Sequence, residues 1–120
     1  MPRAVFVVIA VALAIAGSFH VAALVEPSIA EPSPPWRHAL FAAINFAFAV
    51  GMVKRPRGFA FAFAFAALAL QQLYSHGTYG IDVWRREARV DWASVVVIVA
   101  MPIVVVLLAR DVRARAKAAL

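Results

Sequence analysis

The sequence predicts an all-α integral membrane fold, an antiparallel four-helix transmembrane bundle with both termini in the cytoplasm. Three observations predict it. First, four apolar runs, residues 4–25, 36–53, 58–76 and 92–109, fill most of the 120-residue chain. Each approaches the roughly 20 residues that cross a hydrocarbon core at about 1.5 Å rise per residue. Second, no Lys, Arg, Asp or Glu lies deep inside any run, so none carries the charged face of a helix on a soluble domain. Third, hydrophobic residues make up 65% of the chain and charged residues 15%, where an ordinary soluble domain has about 45–50% apolar and about a quarter charged. A single small core cannot hide that much apolar surface from water, and the length allows one domain, residues 1–120.

The charges set the orientation. Arg3, Lys54, Arg55, Arg57, Arg110, Arg113, Arg115 and Lys117 fall on one side of four spans. With Asp111 that side carries net +7, and the other side, with four basic and five acidic residues, carries −1. The positive-inside rule then puts both termini in the cytoplasm and the segments 26–35 and 77–91 outside. The net charge of +6 does not indicate nucleic acid, because the cations cluster at span ends rather than on one basic face. With no cysteine, thiol nucleophiles and thiolate metal sites are excluded.

The first run is rich in Ala and Val, with Gly17 near its outer end. Arg3, the apolar stretch and Ser28-Ile29-Ala30 resemble a secretory signal, but the run exceeds a signal core of roughly 7–15 residues. The expectation is a retained span; cleavage would leave three. Glu31-Pro32-Ser33-Pro34-Pro35 is a rigid extended connector, since prolines remove donors and restrict the residue before them. The second run carries Ala43, Ala47 and Gly51 at four-residue spacing, a small-residue ridge of the kind that lets membrane helices approach closely. Lys54-Arg55-Pro56-Arg57-Gly58 is a tight turn.

Phe59, Phe61, Phe63 and Phe65 alternate with Ala, a period-two pattern that by itself suggests a strand. A lone strand in lipid leaves backbone groups unsatisfied, so this run is also helical and spreads its rings over two faces. Residues 81–92 read as a short surface helix, with Asp82 placed to pair with Arg86. Trp36, Trp84 and Trp92 mark the outer interface. Pro102 should kink the fourth run, and the Arg-Ala-Arg-Ala-Lys tail should rest on anionic headgroups.

Polar side chains within the runs gather toward the outer end: Ser18 and His20, then His38 and Asn45, then Gln71-Gln72-Leu73-Tyr74-Ser75-His76, then Asp91, Trp92 and Ser94. His38 and Asn45 share a helical face, as do Gln72 and His76, and His20 aligns with Gly17. The expectation is a small multi-pass inner-membrane protein of bacterial type. Its outward-facing polar pocket between helices binds a lipophilic or amphiphilic small molecule, with catalysis left open. His20 and His76 are the catalytic candidates, because imidazole exchanges protons near neutrality. Asn45, Gln72, His38, Tyr74 and Trp36 are the ligand-binding candidates, against the simpler reading of Asn45 and Gln72 as interhelical hydrogen-bond formers and of the two rings as interfacial anchors.

No cofactor is predicted. A metal on His20, His38 and His76 is the weaker alternative; imidazole suits zinc, copper or iron, but the three residues come from three different runs and form no ligand motif. A bis-histidine haem is weaker still. Two other functional classes remain: an accessory subunit or anchor docking through its small-residue ridges, and an oligomeric transporter. The transporter ranks last because the inner half lacks polar groups and no run has a mid-span carboxylate or lysine. The expected partners are the bilayer, a small lipophilic molecule, and a second copy or another membrane protein.

Overall fold

The structure, a computed structural model, describes residues 1–120. The chain is all-α, with four helices: α1 (Arg3–Val25), α2 (Pro35–Lys54), α3 (Phe59–Glu87) and α4 (Trp92–Ala118). A single 3-10 turn, Pro27–Ile29, lies between α1 and α2. Three of the helices, α1, α2 and α4, are long and apolar enough to cross a membrane. α3 is not among them: Gln71, Gln72, Ser75 and His76 interrupt its apolar half. The chain divides into two compact units, Met1–Pro56 and Arg57–Leu120, each a helical hairpin.

In the first hairpin two stripes face each other. On α1 the buried residues are Phe6, Ala10, Leu13, Gly17 and Ala23, and on α2 they are Ala42, Asn45, Ala49 and Met52. Steps of three and four residues keep Phe6 to Gly17 on one side of α1 and the α2 set on one side of its helix. Gly17 suits this close approach: a Cβ would lie 3.1 Å from the Phe46 ring, so the ring would have to shift by a few tenths of an ångström. The expected ridge Ala43–Ala47–Gly51 is not this seam: Ala43 and Ala47 are exposed, and the buried stripe lies on the opposite side of the helix from the ridge. α2 starts on Pro35, which fits the first helical position because its missing N–H had no partner to lose. α2 ends at Arg55, whose backbone turns left-handed (φ 50°) and donates to the Gly51 and Met52 carbonyls; Pro56 then forbids another turn. From that position the Arg55 Nη2 donates to the Met1 carbonyl at 3.2 Å, and its guanidinium lies over the Phe6 ring, 4.6 Å from the centroid. Cation, ring and carbonyl tie the start of α1 to the end of α2.

In the second hairpin α3 runs unbroken through residues 77–87. The separate surface helix expected over 81–92 does not exist. Gly77 and Gly80 lower helix propensity without stopping the helix, and no proline follows to break it. α3 ends where Ala88 turns left-handed (φ 50°) and donates to the Trp84 carbonyl, so the connection to α4 is residues 88–91 alone. The expected Asp82–Arg86 pair does form, at 2.6 Å. Phe59 and Phe63 sit one turn apart on an exposed face while Phe65 is buried, the two-faced distribution of rings that period two produces on a helix. α4 continues through Pro102 and beyond the apolar run to Ala118. Its last turns gain an ion pair between Asp111 and Arg115 at 2.8 Å.

Candidate functional site

The chemistry in each hairpin starts from a histidine on the buried stripe. In the first, Phe6–Ala10–Leu13–Gly17 extended by three residues reaches His20, and Ala42–Asn45–Ala49–Met52 extended back by four reaches His38. The two half-buried imidazoles therefore meet where the stripes run out beside the loop. Their Nδ1 atoms are 3.1 Å apart. A hydrogen on one nitrogen serves both, one ring donating and the other accepting. Phe41 stacks on His20 with centroids 5.6 Å apart and planes inclined by 28°, and the Arg37 guanidinium approaches the same Phe41 ring at 5.9 Å.

In the second hairpin His76 Nδ1 lies 3.1 Å from Ser94 Oγ. The Ser94 hydroxyl donates to Asp91 Oδ2 at 2.5 Å, so its oxygen is left to accept from His76. Asp91 is also the N-cap of α4, accepting the Ser94 backbone N–H at 3.1 Å. Capping fixes the carboxylate, the carboxylate fixes the hydroxyl rotor, and the hydroxyl fixes the imidazole. Ser94 is fully buried, at 1% exposure, so it bridges histidine and carboxylate rather than presenting a nucleophile. Along one side of this chain of bonds runs an open groove of about 320 Å³ within the hairpin. Gly77, Gly80, Ile81 and Trp84 of α3 and Val95 and Ile98 of α4 form its apolar walls, and Asp91 with buried Ser94 completes its lining. Gly77 borders open space, since a Cβ there would meet nothing within 4 Å.

The other candidates are satisfied locally. Asn45 is buried, but its side-chain amide donates at 2.8 Å to the Phe41 carbonyl one turn back on its own helix. The residues buried beside it, Ala42 and Ala49, have no side-chain acceptor, whereas the carbonyl one turn back is always within reach. Gln72 donates to its neighbour Gln71 at 2.7 Å. Tyr74 and Trp36 are exposed, at 75% and 66%. The structure thus joins His20 to His38 and His76 to Ser94 and Asp91. It gives Asn45 and Gln72 partners on their own helices. No three or more His, Cys, Asp or Glu residues gather as metal ligands. Three residues escaped the sequence reading as site members: Phe41, for which no signal exists, and Asp91 with Ser94 as the bridge, which the Asp91-x-x-Ser94 spacing of an N-cap and its third helical residue does signal.

Fold and site together define a class: an all-α protein of two helical hairpins, three of its helices long and apolar enough to cross a membrane. Comparison with protein-family models, curated proteins and solved structures finds no match.

Proposed function

We propose that this chain is a four-span inner-membrane protein with both termini in the cytoplasm, and that it binds a lipophilic or amphiphilic small molecule at its outer side. The observation that carries the binding reading is the α3–α4 groove. Its walls are apolar, Asp91 is the one ionisable group in its lining, and buried Ser94 links that carboxylate to His76 by hydrogen bonds. Ligand sites are typically concave and mostly apolar with a few fixed polar groups. An apolar tail lies against Gly77, Gly80 and Ile98, and a polar head reaches Asp91. The His76–Ser94–Asp91 chain also gives the site a route for a proton, since the imidazole can pass one through the hydroxyl to the carboxylate.

Membrane insertion is supported by the amount of apolar surface left open. Only 11% of the apolar window of α4 is buried, and Val8, Ile15, Phe63, Leu70 and Val96 are all more than 60% exposed. Large apolar residues exposed to this extent on each unit are rare on soluble monomers. The first part of α3 crosses as the fourth span, because only an even number of crossings puts the basic turn 54–58 and the basic tail on one side.

The test uses extraction in mild detergent followed by mass spectrometry of co-purifying lipophiles. A bound species lost from Gly77→Leu and Asp91→Asn, with helicity by circular dichroism unchanged, is the expected result. Equal content in wild type and both variants overturns the reading. Because the chain has no cysteine, single cysteines at Lys54 and Arg85 report topology directly; an impermeant reagent should label the second and spare the first.

A second reading rests on exposed Ala43 and Ala47 beside Gly51. These small residues suit close docking of another membrane helix, as in an accessory subunit. Ala47→Leu would then break a co-purifying complex, while Gly77→Leu would not.

A further inference from the structure

We propose that His20 and His38 form a binding site for one divalent transition-metal ion of the copper–zinc class. Their Nδ1 atoms face each other at 3.1 Å. In the metal-free pair the two nitrogens share an N–H···N hydrogen bond, and a metal ion that accepts both lone pairs can take the place of that hydrogen. A metal ion at about 2.0–2.1 Å from each nitrogen sees two atoms 3.1 Å apart at an angle of roughly 95–100°. That angle lies between square-planar and tetrahedral coordination, so the nitrogens need not move apart. The only chemical change is that the ring carrying its hydrogen on Nδ1 shifts it to Nε2, which leaves the pair neutral and balances the protons.

The two nitrogens already stand within reach of one ion, and each ring has only to turn in place to aim its lone pair at it. Both rings stand on helices near the ends of matching buried stripes. Phe41 covers one face of His20, and Phe19 meets that ring edge-on, with centroids 5.8 Å apart. Neutral nitrogen donors favour copper, nickel and zinc over magnesium and calcium, which take oxygen ligands, and Cu²⁺ heads the affinity order of the divalent series. No third histidine, cysteine or carboxylate joins the pair. The remaining positions go to water or to an exchangeable ligand, which makes this a site with open coordination rather than a closed structural one.

Tag-free full-length protein in mild detergent, titrated with Cu²⁺ and followed by electron paramagnetic resonance, tests the proposal. The expected result is one Cu²⁺ per chain with hyperfine splitting from two imidazole nitrogens. His20→Gln and His38→Gln should each weaken binding at least about tenfold, a loss that even an outer-shell partner can cause, and should reduce the splitting to one nitrogen. His76→Gln should leave the spectrum unchanged, and circular dichroism checks each variant for helix content. Saturable binding without a two-nitrogen pattern in the wild type overturns the proposal whatever the variants do. So does a wild-type spectrum that survives in the double variant His20→Gln/His38→Gln, or no saturable binding at all.

Discussion

The two hairpins use one plan with different chemistry. Each sets a histidine on its first helix against the residue eighteen positions later, at the start of its second helix: His20 against His38, and His76 against Ser94. In the first hairpin the partner is another imidazole and no carboxylate adjoins it. In the second it is a hydroxyl already committed to Asp91. The first pair therefore shares one hydrogen between equals and is matched to a cation. The second is a directed chain ending on an anion. Glycine placement differs in the same way. Gly17 in the first hairpin lies against the Phe46 ring, while Gly77 in the second faces open space. One hairpin uses a missing side chain to close a seam, and the other has one beside an open groove.

The strongest way to break this comparison is one substitution made twice. Gly17→Leu drives a side chain into the Phe46 ring and should destabilise the protein by about 1–3 kcal/mol, the usual cost of overpacking. Gly77→Leu should leave the unfolding midpoint near that of wild type and fill the groove. Thermal unfolding in detergent compares the two, and equal losses would sink the distinction. Ser94→Ala comes next. It deprives His76 and the Asp91 carboxylate of their common partner inside the hairpin, for an expected loss of about 1–3 kcal/mol. Ser94→Thr, which keeps the hydroxyl, should recover part of that loss in the same assay.

A smaller contrast tests the two left-handed helix ends. Ala88→Gly relieves a residue with φ 50° and should raise stability by about 1 kcal/mol, since non-glycine residues carry roughly that penalty there. Arg55→Gly removes the same strain, yet it also removes the hydrogen bond to Met1 and the contact with Phe6, so no gain is expected. A gain in both would show that the Arg55 tie contributes nothing. The smallest effect belongs to Asp82→Ala. Its pair with Arg86 is 2.6 Å long, but both side chains are more than half exposed, and such pairs contribute less than about 1 kcal/mol. Chemical denaturation should show a change of that size or none.

Much of this architecture was legible in residue order. The four apolar runs became four helices, and the steps Phe6–Ala10–Leu13–Gly17–His20 and His38–Ala42–Asn45–Ala49–Met52 already align two histidines on facing stripes. Other features were misread for identifiable reasons. The run ending at residue 76 and a separate surface helix over 81–92 were expected, whereas α3 simply continues to Glu87, because glycine weakens a helix where proline would end it. The Ala43–Ala47–Gly51 spacing looked like the packing seam, but the helix is rotated so that Ala42, Asn45 and Ala49 are buried instead.

The sequence by itself determined the helical class, the length and apolarity of the helices and the clustering of histidines near the expected outer ends, because these follow from composition and from the period of the α-helix. Only the tertiary structure decided which nitrogen faces which partner, that Asn45 turns back to its own helix, and that Ser94 joins His76 to Asp91. Those outcomes depend on helix rotation and side-chain rotamers, which differ by one residue of phase or one torsion and which local sequence leaves nearly equal in energy until two helices pack.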